Sequence, residues 1–363
     1  DADDVFDENI LLVLSSHLDK DPELALVFPD YFLMDEAGYI YAQERRQPIY
    51  FKNHMLDIPP NGACTMIRKK ILEEVGGYRE DLGAQDGFDL WAKVHKGFKC
   101  TNVNIPLFYY RQHGKNLTGN TAHILIAKRE IKKDFSQLSI DKYKPITAVI
   151  PCRQNYDFCE NLWNQKINDK TLLDIALSKC MQSKLFDKIV VTSDTSEVQD
   201  ILKKYNDSRI TYYQRSPEST IRSRPITYTL KDITKTIDPE FFGITVMLIL
   251  QAPFVTIETI EEAVYTLIIN EADSSVLVDA IDAPLFERTP HGLMQINYKG
   301  FLVSDFDTIY IDTRTCLVTK NSNLRNGSLT GSKVASVAVP KNETFYINRQ
   351  RKLDFADFLL RKN

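Results

Sequence analysis

A charged stretch, AKREIKKDFSQLSIDKYKP at residues 127–145, separates two parts of the chain that differ in their pattern of apolar residues. Before it, apolar side chains recur every three or four positions in IRKKILEEV, which predicts an amphipathic helix over residues 67–75. Gly76 and Gly77 follow as a left-handed stop. A second short helix is predicted in GFDLWAKVHKG, with an inward face formed by Phe88, Trp91 and Val94 or His95.

After the charged stretch, short apolar runs rich in β-branched residues alternate with segments of helical spacing. The predicted strands are ITAVIP, KIVVTSD, RITYYQR, ITVMLILQ and SSVLVDAI, and the predicted helices are LLDIALSKCMQSK, SEVQDILKKY and TIETIEEAVYTLIIN. This alternation is typical of an α/β protein with a doubly wound, mostly parallel sheet. Ligands of such sheets bind beyond the carboxyl ends of the strands, so we expect a site around Pro151–Arg153, Ser193–Asp194 and Gln251–Pro253.

The difference in apolar pattern before and after the charged stretch predicts two domains. A chain of 363 residues is long enough to form two hydrophobic cores. Residues 1–124 are assigned to the first domain and residues 145–363 to the second. Residues 125–144 are interpreted as a helix that runs into a linker ended by Pro145.

Composition narrows the function classes. The 45 basic and 49 acidic residues leave a net charge of −4, which argues against a nucleic-acid partner held by bulk charge. Six cysteines without CxxC spacing argue against a structural zinc site or a disulfide framework, and fit a reducing cytoplasm. The longest apolar run, ITVMLIL, is too short to cross a bilayer. The sequence therefore predicts a cytoplasmic protein that is soluble or peripheral to a membrane.

Carboxylates cluster at two places in the first part of the chain. Asp1 and Asp3 lie on the same side of an extended segment, which suits joint contact with a metal ion and a polar ligand. Helix capping or a solvated turn is the alternative. In GAQDGFDLW, Asp86 lies between a loop and a helix start, where it can act as a general base or only cap the helix.

Four stretches, DADDVFDENIL, NGACTMIRKKILEEVGGYRED, QDGFDLWAKV and IPLFYYRQHGKNLT, resemble the acceptor half of the inverting GT-A glycosyltransferases of family two. The resemblance implies that Asp1 and Asp3 meet the Mg²⁺ or Mn²⁺ of a nucleotide-sugar donor, and that Asp86 deprotonates the glycan acceptor. His113 is a further candidate ligand of the metal or diphosphate, or a structural histidine. Because a nucleotide-binding half precedes these motifs in the family, we expect the chain to be a fragment of a longer polypeptide.

The second part resembles the cytidylyltransferases that make CMP-activated acidic sugars such as CMP-sialic acid and CMP-Kdo. The resemblance is carried by TAVIPCRQNYDFCENL, LLDIALSKCMQSKLFDKIVVTSD, YYQRSPES, LILQAPFVTIETIEEAV and LDFADFLL. The nucleotide or sugar contacts that it implies are Arg153, Asn161, Ser193, Asp194, Arg215, Gln251, Pro253 and Asp354. Each has a structural alternative, such as helix capping or satisfying a strand end.

Two motifs of that family are altered in this chain. The family's glycine- and lysine-rich phosphate loop is replaced by CRQNYDFCENL, which keeps Arg153 but has no glycine. The family's late Asp-x-Asp, which binds the catalytic metal, corresponds to YINRQRKLDF, with Tyr346 and Asn348 in place of the aspartates and Asp354 retained. A phenol and an amide are poor magnesium ligands, which predicts weakened metal chemistry.

The leading hypothesis is an inverting glycosyltransferase of bacterial capsule or lipopolysaccharide synthesis, fused to a weakened CMP-sugar-synthetase-like domain. Two alternatives stay open for that domain: an active cytidylyltransferase that uses CTP, or a non-catalytic binding or oligomerisation module. Related cytidylyltransferases dimerise through an extended hairpin, which residues 282–335 could form. The hypothesis of a kinase is disfavoured because the chain has no GxxxxGK[ST] loop.

Overall fold

The computed structural model describes residues 3–45, 64–82, 85–113, 121–220, 224–281, 283–297 and 309–362. Its internal contacts define two compact units, Asp1–Phe135 and Ser136–Asn363. Within the described ranges, no helix is both long and apolar enough to cross a membrane.

The first unit is built on a five-stranded sheet. The strands are β1 (Val5–Phe6), β2 (Leu24–Met34), β3 (Ile40–Glu44), β4 (Met66–Ile67) and β5 (Lys99–Arg111). The helices that begin in this unit are α1 (Ile10–Lys20), α2 (Lys69–Glu74), α3 (Asp86–Gly97) and α4 (Thr121–Gln137). The sheet order is β1-β5-β2-β3, with β4 paired to β2. Strands β2 and β5 are parallel, and the other pairs are antiparallel.

Strand β2 is apolar on both faces because helices cover both. Val27 belongs to one cluster with the buried side of α1, whereas Phe28 belongs to another with α3. Trp91 of α3 is 1% exposed and meets Phe28 edge-on, with 5.9 Å between ring centroids. The helix predicted over 67–75 is α2, and Gly77 N donates to Leu72 O at 2.9 Å to close its end. Both predicted helices and their apolar faces are thus present.

The second unit is built on a seven-stranded sheet of order β10-β9-β6-β11-β15-β12-β16. These strands are β6 (Ile146–Cys152), β9 (Lys188–Ser193), β10 (Ile210–Gln214), β11 (Ile244–Leu248), β12 (Ser274–Ile281), β15 (Ile309–Lys320) and β16 (Val334–Ala338). Two hairpins lie outside it: β7 (Lys166–Ile167) with β8 (Lys170–Thr171), and β13 (Phe286–Thr289) with β14 (Gly292–Gln295). The helices are α5 (Leu172–Gln182), α6 (Glu197–Leu202), α7 (Ile226–Ile237), α8 (Ile257–Ile269), α9 (Asn321–Arg325) and α10 (Gln350–Lys362).

Helices cover both faces of this sheet. Ala148 and Ile150 of β6 pack in one cluster with α5, α6, α8 and α10. Val149 of the same strand packs in a second cluster with α7 and α9. A strand buried on both faces is apolar at most positions, which is why ITAVIP and ITVMLIL are rich in consecutive apolar residues. The predicted α/β class with a mostly parallel sheet is confirmed for this unit.

Two features of the sheet differ from the sequence prediction. Helix α7 fills the gap between RITYYQR and ITVMLILQ, where no helix was predicted. Its buried side combines Thr227, Thr229 and Thr234 with Leu230 and Ile233. Strand β15 runs antiparallel to both of its neighbours, β11 and β12, within an otherwise parallel arrangement. The described parts of 282–335 hold the β13–β14 hairpin and β15, and dimerisation through them stays a prediction.

Candidate functional site

The order of strands reverses direction between β6 and β11. Strands β9 and β10, which follow β6 in the chain, lie on one side of it, while β11 lies on the other. Both strands run in the same direction, with Val149 opposite Met247. In open α/β sheets the crevice beyond the carboxyl ends of two such strands is the usual ligand site. Here that edge is formed by the residues that follow Cys152 and Leu248.

A cavity of about 230 Å³ opens at this edge. Its walls come from the ends of β6 and β11, the segment after β10, and the start of α7. The lining residues are Pro151, Arg153, Tyr156, Arg215, Ser219, Arg224, Ile226, Met247, Ile249 and Gln251. Three of them are arginines, and we call this cavity the arginine pocket.

Arg215 is the most buried of the three arginines, with 6% of its surface exposed. It follows β10 directly, and its main-chain N–H donates to Ser193 O at 2.7 Å. Its side chain donates to Ser219 O at 2.6 Å and to Ser219 Oγ at 3.4 Å. Burial lowers the pKa of this guanidinium from its ordinary value, because the charged form is desolvated. The nearby Asp194 carboxylate acts in the opposite direction.

The other two arginines are placed by aromatic rings. The Arg153 guanidinium lies 4.7 Å from the ring centroid of Tyr156, and that of Arg224 lies 4.9 Å from the ring centroid of Tyr228. Stacking of this kind orients a guanidinium while leaving its N–H groups free to donate.

No carboxylate forms an ion pair with any of the three guanidinium groups in the part of the chain that the structure describes. Buried or clustered positive charge is costly unless an anion compensates it. Planar guanidinium groups match phosphate and carboxylate oxygens with paired hydrogen bonds. The arrangement can therefore bind a polyanion such as a nucleotide polyphosphate.

The loop after β6 offers fewer main-chain N–H groups to a phosphate than a glycine-rich loop would. Gln154 N donates to Asp194 Oδ1 at 2.8 Å, Tyr156 N to Cys159 O at 2.9 Å, and Asn161 N to Gln154 O at 2.6 Å. Since these N–H groups already donate within the protein, they are not available to a phosphate. Positive side chains, not a backbone cradle, dominate the pocket.

Of the residues predicted for the second site, Arg153, Arg215 and Gln251 line the arginine pocket. Three others support its rim: Ser193 O and Asp194 Oδ1 accept main-chain hydrogen bonds, and Asn161 closes the loop in a left-handed conformation with φ of 48°. Asp354 lies on α10 and accepts from Gln350 Nε2 at 3.0 Å. It is not among the lining residues.

Pro253 lies beside a buried lysine. Its carbonyl accepts from Lys179 Nζ at 2.7 Å. Burial lowers the pKa of Lys179 to about 8. In the unfolded chain this pKa returns to its ordinary value near 10.5, so between these pH values the unfolded state binds more protons and stability rises with pH.

Replacing Lys179 with methionine is therefore expected to remove a pH-dependent contribution to the free energy of unfolding. Between pH 8 and about 10, the free energy of unfolding of the wild type should gain roughly 2 kcal/mol relative to Lys179→Met. Urea unfolding of both proteins across this range measures the difference. A difference that does not change with pH would contradict the assignment.

The donor set at the second site does not fit a magnesium ion. Ile347 N donates to Gln251 O at 2.8 Å, which brings Tyr346 and Asn348 beside the pocket. Neither side chain supplies a carboxylate, and hard divalent cations prefer carboxylate oxygens. Among the described residues, no group of three or more His, Cys, Asp or Glu side chains is close enough to hold a metal ion.

In the first unit, Asp3 and His113 are paired: His113 Nε2 lies 2.7 Å from Asp3 Oδ2. Strand β1 pairs with the end of β5, and this brings the two residues together from opposite ends of the unit's sequence. Arg111 holds the main chain at Asp3 in place, since its Nε donates to Asp3 O at 2.9 Å. The hydrogen bond from His113 lowers the pKa of the Asp3 carboxyl. The predicted partner Asp1 lies outside the described residues.

Asp86 is the first residue of α3 and is exposed. Gln85 before it has a left-handed backbone, with φ of 60°, which turns the chain into the helix. Helix α3 is followed directly by β5, whose far end pairs with β1 beside Asp3. Asp86 is close enough to Tyr78 for its charge to raise that phenol's pKa, although burial of the phenol is the larger cause.

Sequence reasoning missed Arg224, Tyr156 and Ser219. Arg224 lies in a run of Ser, Arg and Pro that has no regular spacing, and only the return of the chain through α7 brings it to the pocket. Proline at position 225, just before a helix start, is the one signal that could have placed it at an element boundary.

Residues 164–324 match the sequence profile of the Cytidylyltransferase family, so this region is cytidylyltransferase-like, as expected. The match does not extend to residues 1–163. One similar solved structure is the 4-diphosphocytidyl-2C-methyl-D-erythritol synthase of Anaerococcus prevotii DSM 20548, with 18% identity, a TM-score of 0.45, and coverage of 61% of this chain and 98% of that chain. Another is the CMP:2-keto-3-deoxy-manno-octonic acid synthetase complexed with CTP, with 12% identity, a TM-score of 0.45, and coverage of 60% and 99%. No curated protein gives a significant match.

Proposed function

We propose that residues 136–363 form a cytidine-nucleotide-binding domain, with the phosphates of CTP or of a CMP-activated sugar held in the arginine pocket. The observation that carries the proposal is the set of three guanidinium groups, from Arg153, Arg215 and Arg224, around one cavity at the strand-order reversal. The cytidine base is inferred from the family profile.

The lining of the pocket combines charged and apolar residues. The arginines supply the charged groups, while Ile226, Met247 and Ile249 supply apolar surface. A nucleotide has the same combination, since its phosphates are charged and its base and ribose present flat, weakly polar surfaces. This combination supports a nucleotide over inorganic phosphate as the ligand.

Cytidylyl transfer is the activity that the family profile favours. In such a reaction, a hydroxyl oxygen of an acidic sugar forms a bond to the α-phosphorus of CTP, and the bond to pyrophosphate breaks. The hydroxyl proton leaves to solvent or to a base. Arginines beside the phosphates can stabilise the charge that builds up on the leaving group. The altered magnesium position bears on the rate of this step.

Isothermal titration calorimetry of the full chain with CTP tests the proposal. We expect saturable binding of CTP that is tighter than binding of inorganic phosphate, and competition between CTP and CMP. A pyrophosphate-release assay with CTP and 3-deoxy sugar acids then tests transfer. Heat signals no larger than those of buffer, at nucleotide concentrations up to the millimolar range typical of weak ligands, would contradict the proposal.

The second candidate function belongs to the first unit, which we propose to be the acceptor part of a metal-dependent, inverting glycosyltransferase. The pairing of Asp3 with His113 favours it, since a carboxylate and an imidazole from distant parts of the sequence meet at one sheet edge. These two residues would contact Mg²⁺ or Mn²⁺ on a nucleotide-sugar diphosphate. Asp86 would take the proton from the acceptor hydroxyl. A protein with both units would serve surface-polysaccharide synthesis.

Replacing Asp86 with asparagine tests this candidate in the full-length protein. If Asp86 is the general base, sugar transfer should fall on the order of 100-fold or more. Donor binding should be unchanged, because asparagine keeps the shape of the side chain. Release of nucleoside diphosphate measures turnover. The control is Glu74→Gln, which removes an equal charge from the exposed side of α2. Near-normal turnover of Asp86→Asn would identify Asp86 as a helix cap only.

A further inference from the structure

The segment Tyr346–Asn348 is bonded to a residue that lines the arginine pocket. Its main chain is bonded to Gln251 O through Ile347 N at 2.8 Å, and Gln251 lines the pocket. From α10, Lys352 Nζ donates to Tyr346 O at 2.9 Å. The half-buried Tyr346 side chain is therefore held at a defined place beside the end of β11.

Two arginines lie near this phenol. The guanidinium groups of Arg314 and Arg153 both act on it and lower its pKa, although burial raises that pKa by more. Arg314 lies in a left-handed turn of β15, with φ of 56°, next to the same edge of the sheet. Four arginines, Arg153, Arg215, Arg224 and Arg314, thus lie at or beside the cavity.

Of the described residues that line the arginine pocket, none is a carboxylate. Asp194 is the described acid whose charge reaches Arg215, and its Oδ1 already accepts from Gln154 N. A divalent cation placed here would lack the carboxylate ligands that it prefers, and it would be repelled by the arginines. The charges of the pocket therefore match a free polyphosphate better than its magnesium complex.

We propose that the arginine pocket binds the polyphosphate of its nucleotide without a divalent cation, the guanidinium groups supplying the positive charge that a metal ion would otherwise supply. This inference rests on the proposed function of the second unit. It adds that magnesium is not needed for binding and opposes it, because a bound magnesium ion reduces the negative charge of the nucleotide.

Calorimetric titration of the metal-stripped full chain with CTP, in EDTA and in excess MgCl₂, tests the inference. We expect CTP to bind about 3-fold or more tightly in EDTA than with magnesium, since the free nucleotide carries more charge.

A double variant, Tyr346→Asp with Asn348→Asp, reverses the sign of this effect. It places two carboxylates beside the arginines, so binding of free CTP should weaken on the order of 10-fold, and magnesium should restore it. Tyr346→Phe is the control, because it removes the hydroxyl without adding charge. Its preference for free CTP should match that of the wild type.

The outcomes separate the two claims. Tighter binding in EDTA by the wild type, with a reversed preference in the double variant, supports the inference. Binding by the wild type only when magnesium is present overturns it and leaves the nucleotide-binding function standing. Absence of binding under both conditions overturns the proposed function, and the inference with it. Circular dichroism of each variant shows whether it is folded.

Discussion

Replacing Arg215 with glutamine is expected to weaken CTP binding on the order of 100-fold. Hydrogen bonds to a charged group contribute about 1.5–3 kcal/mol each, and every 1.4 kcal/mol changes affinity about tenfold. Arg215 is 6% exposed, so little solvent screens its charge. Glutamine retains hydrogen-bonding atoms but removes the charge and the fork of donors.

Several controls distinguish a binding role from a structural one. Arg215 also donates to Ser219 O, so Arg215→Lys, which keeps the charge, should lose less affinity than Arg215→Gln. Arg153→Gln gives an independent test, with an expected loss of about 10-fold. Arg288→Gln removes the same charge from the exposed β13 strand and should leave binding unchanged. Equal affinities for wild type and Arg215→Gln would exclude the arginine pocket as the phosphate site.

Replacing Gly243 with alanine should destabilise the second unit by roughly 3 kcal/mol, the upper part of the range for overpacked sites. A Cβ atom at Gly243 would lie 2.1 Å from Pro145 O and 2.9 Å from Pro145 N, both main-chain atoms that cannot turn away. Ile244 N donates to Pro145 O at 3.0 Å, so relieving the overlap would also strain this hydrogen bond. The pair formed by β6 and β11 would have to move apart at the end opposite the pocket.

Chemical denaturation followed by circular dichroism measures this effect. Gly87→Ala is the matched control, because its Cβ would meet no atom within 4 Å and alanine favours the helix in which it lies. The control should be neutral or slightly stabilising, whereas Gly243→Ala should shift the midpoint strongly to lower denaturant. An unchanged midpoint for Gly243→Ala would show that β6 and β11 do not approach as closely as described.

The parallel core of the second unit could be predicted because strands that are buried on both faces have consecutive apolar residues in the sequence. Strands such as β6 and β11 are apolar at consecutive positions, and their lengths and order follow from the turns between them. The capping box of α5 also follows from local sequence: Thr171 Oγ1 accepts from Asp174 N at 3.0 Å. Local physics therefore identified the elements and the edge at which a site would lie.

The pocket itself could be predicted only in part. Arg153 and Arg215 follow strands directly, so their position at the sheet edge is a consequence of strand order. Arg224 precedes α7, which was not predicted from the sequence, and nothing local shows that Arg224 lies at the same cavity. The antiparallel direction of β15 depends likewise on the pairing of residues far apart in the chain.

In the first unit, too, the candidate residues could be predicted from the sequence but their contacts could not. Asp3 and His113 were each singled out, yet their 2.7 Å contact depends on the pairing of β1 with the far end of β5. Long-range pairing of this kind carries no signal in a single sequence, because any short apolar segment could complete the edge of the sheet. The role of Asp86 depends on the acceptor, which the sequence does not specify.

A crystal structure of the full chain with CTP tests whether the arginine pocket is the phosphate site. We expect electron density for the triphosphate within hydrogen-bonding distance of the Arg153, Arg215 and Arg224 guanidinium groups, with the base beside Ile226 and Met247. Density for CTP elsewhere in the molecule, or an arginine pocket filled only by solvent at saturating nucleotide, would contradict this assignment.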